Sequence, residues 1–336
     1  MRLDEAVTGN HLPRAGLRSL LDHVWILTLV SLTATAAVSP ANAGPPQRTI
    51  TNGSLVAKMY LPDPKQGYYR GTRFDWTGVI HSLQHAGHEY FGEWQKSDDP
   101  YLHDRITGPV ESYSALPLPA GRFVRIGVGV CGPTPTGSKH PTQVVNHGTW
   151  KVTQGSNWIR MEQQVTDQAS GLGYHYEKLI TLVPGRAELI IDHLLVNRGK
   201  QPIESQVYNH NFFVIDGQPT GPDFVVRFPF RLTADKSLKG FGATRGNQLE
   251  YLKEIPQGDY MISTFQGFGT NVKDHAFSIE NRKTKASVSM VTDRPLVKLQ
   301  LWSPHTTICP EPFIDLKIKP GQADRWSIRY TFATIN

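Results

Sequence analysis

From Ser54 onward the chain advances in short runs in which apolar and β-branched residues alternate with polar ones, each closed by Gly, Pro, Asn or Asp. The runs are Ser54 to Tyr60, Trp76 to Leu83, Phe123 to Val130, Trp158 to Val165, Tyr174 to Leu182, Ala187 to Val196, Phe224 to Phe230, Ala286 to Val291, Leu296 to Trp302 and Trp326 to Phe332. A two-residue period marks strands with one buried face. Val183-Pro184-Gly185-Arg186 and Lys319-Pro320-Gly321-Gln322 put Pro and Gly where a tight reversal between strands needs them. No segment carries a long, capped helical period, and a short helix is expected only between Gly87 and Asp99. With no helical layer to cover a sheet, the sheets must cover each other. The chain is therefore predicted to be all-β, a large antiparallel β-sandwich of two twisted sheets, with its site on a concave sheet face or in rim loops.

Residues 1–43 read as a targeting segment. Arg14 and Arg18 precede an apolar run from Val24 to Val38, and Ala41-Asn42-Ala43 has the small-x-small pattern of a signal-peptidase site. The run is shorter than the roughly 18 to 20 residues a membrane-spanning helix needs, so no stable membrane insertion is expected after cleavage. Export to the periplasm or beyond is expected, with residues 44–336 as a single domain.

Arg2, Arg14 and Arg18 cancel Asp4, Glu5 and Asp22, so the net charge of +6 belongs to the exported part. Its basic residues are scattered and form no nucleic-acid motif, which excludes nucleic acid as a partner while leaving an anionic sugar or glycan open. The 2 cysteines, Cys131 and Cys309, exclude a disulfide framework and a cysteine-rich metal site, but not one bridge between them. No Gly-x-Ser-x-Gly elbow, Walker loop or dinucleotide fingerprint occurs, and no cofactor is expected.

Two segments set one titratable side chain each in an apolar run: Tyr208-Asn209-His210-Asn211-Phe212-Phe213 and Ile308-Cys309-Pro310-Glu311-Pro312. A histidine and a glutamate brought together can give a proton to one oxygen and take one from another, which is what opening and reclosing a cyclic sugar requires. By residue type alone Arg122 reads equally as a salt-bridge partner on a sheet face, and Trp302 as ordinary core.

Several segments, in order, resemble the aldose 1-epimerase or galactose mutarotase-like superfamily. Gly121-Arg122-Phe123 is similar to the family's Gly-Arg strand, Asn146-His147-Gly148 to its His-Gly-Gly segment, and Asn209-His210-Asn211-Phe212-Phe213 to its Asn-His-x-Tyr-Phe motif. Leu301-Trp302-Ser303-Pro304, Ile308-Cys309-Pro310-Glu311-Pro312 and Ile318-Lys319-Pro320-Gly321 resemble a C-terminal series of its hexose-phosphate mutarotase branch. The resemblance implies His210 as general acid and Glu311 as general base, with Arg122, His147, Trp302 and Asn209 as substrate-binding residues; Arg73 joins them from its own segment, Tyr68 to Trp76. Thr149 stands where the family has a second Gly, Asn211 replaces a Ser or Thr, Phe212 replaces a Tyr, and Gly127 to Thr142 is an insertion.

A second cluster, Tyr68 to Trp76, places Arg70 and Arg73 where they could meet a uronate, sulfate or phosphate on a sugar. His81, His85 and His88 follow at i, i+4 and i+7, a ligand pattern only on a helix, and are read as surface histidines with no metal. The expected function is thus an exported mutarotase. Its alternatives are a non-catalytic carbohydrate-binding protein and a polysaccharide lyase or hydrolase, in which Tyr208 with Arg70 or Arg73 would act on a uronate.

Overall fold

The computed structural model describes residues 44–133 and 143–335; the expected signal segment and part of the insertion lie outside them. Residues Ala43–Asn336 form one unit. Its frame is two antiparallel sheets. In spatial order, the larger runs Thr149–Gln154, Trp158–Asp167, Leu172–Leu182, Glu188–Asn197, Ala323–Thr334, Ala286–Thr292, Ala276–Asn281, Phe224–Arg227, Gln248–Tyr251 and Gly242–Arg245. The smaller runs Thr233–Ala234, Tyr260–Gln266, Lys298–Pro304, Cys309–Ile318, Ile203–Phe212 and Gly108–Tyr113. Two four-stranded sheets, beginning at Gln47–Thr51 and Leu116–Pro117, flank them.

The alternation read from the sequence is the physical basis of this frame. Along Leu172–Leu182 the even-numbered residues are buried and the odd ones from His175 onward face outward, so one side of the strand belongs to the interior. Ile180, Ile191, Tyr330 and Met290 of the larger sheet meet Met261, Phe265, Leu299 and Leu301 of the smaller in one apolar cluster. Both anticipated reversals are present. Arg186 N–H donates to Val183 O at 3.1 Å with Gly185 at φ +69°, and Gln322 N–H donates to Lys319 O at 3.0 Å with Gly321 at φ +76°. Pro second and a positive-φ Gly third define type II turns.

The structure corrects two expectations of secondary structure. Phe123 to Val130 is not one strand but a hairpin, Phe123–Arg125 and Gly129–Cys131, because Gly127 turns at φ +78° and a side chain there would strike the Asp75 carboxylate. Gly87 to Asp99 is not helical: Ala86 and Gly87, both at positive φ, close a hairpin between Val79–His85 and His88–Glu89. The three histidines consequently part. His81 stacks on Tyr60 at 4.3 Å, His85 lies 3.0 Å from Ser54 O, and His88 Nδ1 lies 3.0 Å from Asp216 Oδ2. Cys131 and Cys309 are both buried free thiols rather than a bridge. Among the described residues no helix is long and apolar enough to cross a membrane.

Candidate active site

His210 and Glu311, about a hundred positions apart in the chain, are neighbours on adjacent strands of the smaller sheet. Ile203–Phe212 and Cys309–Ile318 pair up to Tyr208↔Phe313, and the same register returns at the bridge Phe213↔Ile308, so His210 falls opposite Glu311. Between these points the ladder is open. Ile308 exchanges both backbone bonds with Phe213, so the even-numbered Pro310 and Pro312 also turn toward this strand, and proline has no N–H to give. Asn211 Nδ2 fills part of the gap by donating to Pro310 O at 2.8 Å. The two prolines around Glu311 thus have a structural reason: they end pairing where the acid/base groups meet.

His210 Nε2 lies 3.4 Å from Glu311 Oε1, and the residues are only 2% and 1% exposed. An aromatic box encloses them. Phe212 stacks on the imidazole at 3.9 Å, Phe74 meets it edge-on at 5.4 Å, and Trp302 stands at 6.0 Å, backed by Trp94. Gln300 Nε2 donates to Glu311 Oε2 at 2.9 Å, whereas the buried His210 Nδ1 has no hydrogen-bond partner. Arg73 lies over the Phe74 ring at 4.7 Å, near enough to act electrostatically on the pair: its Nε and Nη2 donate to the Tyr208 hydroxyl at 3.2 and 3.1 Å, and its Nη1 meets the Asp104 carboxylate and His103 Nε2.

This setting governs the protons. Burial pushes the Glu311 carboxyl up to about 7 against the opposing pull of Arg73. Burial also holds the His210 imidazole well below its ordinary value, and the nearby Arg73 and His103 add to that. A proton taken up by the empty pair therefore rests on the carboxyl. In histidine-selective NMR, the His210 ring nitrogens are expected to keep the shifts of a neutral imidazole as pH falls through 6.5, where exposed histidines become imidazolium, with only the smaller perturbation that protonation of the adjacent Glu311 brings. Because the unfolded chain binds that proton and the folded one does not, His210 contributes stability above pH 6.5 that is lost as pH falls. Titration of His210 near its ordinary value would show that water reaches the ring.

The remaining anticipated residues divide. Arg73 and Trp302 adjoin the pair. Asn209 lies on the opposite face of its strand, donating to Glu111 Oε1 at 3.0 Å and sitting 2.7 Å from the Tyr330 hydroxyl, as the two-residue period beside His210 requires. Arg122 forms an ion pair with Asp167 at 3.1 Å, and Arg125, three residues on, donates from Nη1 to Arg73 O instead. His147 is held at a corner, its Nδ1 3.1 Å from Gly148 O and its carbonyl accepting from Gln163. Arg70 donates to Lys65 O and lies over Tyr101. Gln300, His103, Asp104, Arg125, Phe74 and Trp94 complete the site and were not singled out from sequence. Only the register 300↔311 could have indicated Gln300.

No family model matches the chain, and no curated protein matches it. Solved structures do. A putative aldose 1-epimerase from Escherichia coli K12 superposes with a TM-score of 0.54 at 12% identity, covering 86% of this chain and 99% of that one. A galactose mutarotase-like protein from Clostridium acetobutylicum gives 0.54 at 11%, covering 86% and 95%. A GalM/aldose epimerase homologue from C. elegans gives 0.53 at 14%, covering 86% and 99%. The fold is the galactose mutarotase-like β-sandwich.

Proposed function

We propose that the chain is an aldose 1-epimerase, exported to the periplasm or the extracellular space by residues 1–43, that interconverts the anomers of a sugar. The observation that carries this reading is the pairing of His210 with Glu311 across an opened ladder inside an aromatic box. Sugar hydroxyls entering the box would hydrogen-bond both groups, which favours their charged forms and moves the proton from carboxyl to imidazole. Glu311 then takes the proton of the anomeric hydroxyl while His210 gives its proton to the ring oxygen. The bond from C1 to the ring oxygen breaks, the aldehyde turns about C1–C2, and the ring closes on its other face as both protons return. Arg73 supplies a planar fork of donors for charge developing on oxygen, and Trp302 a ring for the apolar face of a pyranose.

The test is proton NMR of anomer exchange on freshly dissolved neutral, acidic and phosphorylated sugars. Acceleration of at least one is expected, and none across the panel would overturn the reading in favour of a binding protein. The two Arg73 hydrogen bonds to the Tyr208 hydroxyl favour one other reading, a lyase in which Tyr208 removes the proton at C5 of a uronate. New ultraviolet absorbance from uronate polymers would select it.

A further inference from the structure

Beside the pair, on the far side of Trp302, lies a cleft of about 610 Å³ that the reaction above does not use. Its walls include Trp94, Trp302, Tyr260, Glu93, Asp259 and His305. We propose that it is a second glycan subsite, so that the substrate is an oligosaccharide whose reducing-end unit meets His210 and Glu311 while the next unit lies in the cleft. The proposal rests on the mutarotase reading for the first unit only.

Three observations point to a sugar. The cleft has the size of small-molecule sites, roughly 300 to 1,000 Å³. Three aromatic side chains, Trp94, Trp302 and Tyr260, line it together, and Tyr260 is 43% exposed, so aromatic surface suited to the apolar face of a pyranose is accessible within the cleft. Its charges are mixed, Glu93 and Asp259 against Lys96, so it offers hydroxyl-binding groups without the single-sign field an ionic ligand would call for.

The cleft is held by hydrogen bonds and shares one wall, Trp302, with the aromatic box around the pair. Trp94 Nε1 donates to Ile106 O at 3.0 Å, and Thr306 Oγ1 donates to Trp94 O at 2.6 Å. Asp259 Oδ1 accepts from Tyr260 N at 2.8 Å and from Lys239 Nζ at 3.1 Å, and Lys239 covers one face of the Tyr260 ring at 4.1 Å. Trp302 belongs to both chambers, lining the cleft and lying 6.0 Å from the His210 ring. A ligand spanning both would pass over this one indole. The smaller sheet explains the layout: Tyr260, Ile262 and Thr264 face Pro304, Trp302 and Gln300 in register, so the site's face continues from Glu311 across two strands to Tyr260.

The test is calorimetric titration of the protein with glucose, galactose and mannose and with trisaccharides of each that keep a free reducing end, using wild type, Tyr260→Ala and Tyr260→Phe. At least one trisaccharide is expected to bind about tenfold more tightly than its monosaccharide, an advantage of the size one aromatic contact supplies. Tyr260→Ala should remove that advantage without changing monosaccharide binding, and Tyr260→Phe should keep it. Equal binding of mono- and trisaccharides across the panel, or an advantage that survives Tyr260→Ala, would overturn the proposal. Anomer exchange separates the two readings. Exchange of monosaccharides with no trisaccharide advantage removes the cleft alone, whereas tighter trisaccharide binding without exchange of any sugar removes the catalytic reading and leaves the cleft standing.

Discussion

Lys178→Met is expected to cost about 3 to 5 kcal/mol of unfolding free energy, the usual penalty for leaving buried charges without their partner. Lys178 stands between the two sheets and is 1% exposed, as is Glu111, while Asp75 is wholly buried. Its Nζ lies 2.7 Å from Asp75 Oδ2, contacts the Glu111 carboxylate, and donates to Thr77 O at 3.0 Å. His193 Nε2 adds a contact to Glu111 Oε1 at 3.1 Å. Burial acts to raise the Glu111 carboxyl, yet Lys178 and His193 hold it well below its ordinary value, whereas burial raises Asp75. Removing the one lysine would strand two carboxylates in the core. Urea denaturation is the measurement, read as a cycle: Lys178→Met with Glu111→Gln should cost clearly less than the two single changes summed, because the second removes a charge the first has orphaned. Additive costs, or a single-variant loss below about 1 kcal/mol, would mean that the network does not hold the sheets together. The same network seats the site, since Asp75 follows Arg73 and Phe74 in the chain and Glu111 lies beside Asn209 in register.

Lys178 also shows what could and could not be read in advance. In Tyr174 to Leu182 the inward positions are even-numbered, and a lysine among Tyr174, Tyr176, Ile180 and Leu182 breaks that pattern visibly. The anomaly is legible from local periodicity, but its partners Asp75 and Glu111, roughly 70 to 100 positions away, are not. The same division runs through the site. Alternation and turn chemistry are local, so the sandwich, its reversals and most of its strands follow from them, and the resemblance carried by the His210 and Glu311 segments located the pair. Alternation also puts Asn209 opposite to His210, a constraint that the motif reading of Asn209 as a sugar ligand overrode. Arg122 against Arg125 depended on Asp167, and the hairpin at Gly127 on the approach of Asp75; both are contacts between distant segments. The prolines at 310 and 312 interrupt a ladder, a role visible only from the neighbouring strand.

Glu311→Gln is expected to slow anomer exchange by a hundred- to ten-thousandfold, the range a positioned proton-transfer group contributes, while making the fold more stable at high pH. The amide keeps the shape of the carboxyl and can still meet Gln300, but it cannot accept the anomeric proton. The stability effect follows from the raised carboxyl. Its folded value of about 7 exceeds its ordinary 4.5, so Glu311 contributes stability that is present below pH 4.5 and lost as pH rises through 7. Above that point the wild type carries a carboxylate in an aromatic box, and the glutamine variant does not. The midpoint of thermal unfolding should therefore be higher for Glu311→Gln than for wild type at pH 8, with the gap closing toward pH 5. A residue kept for structure would behave in the opposite way, losing stability at every pH when replaced. Loss of exchange together with a pH-dependent gain in stability would mark Glu311 as a group held in an unfavourable place for its chemistry. A variant that retains exchange would remove Glu311 from the reaction, and one that loses exchange with a lower midpoint at both pH values would assign the carboxylate to the packing of the box.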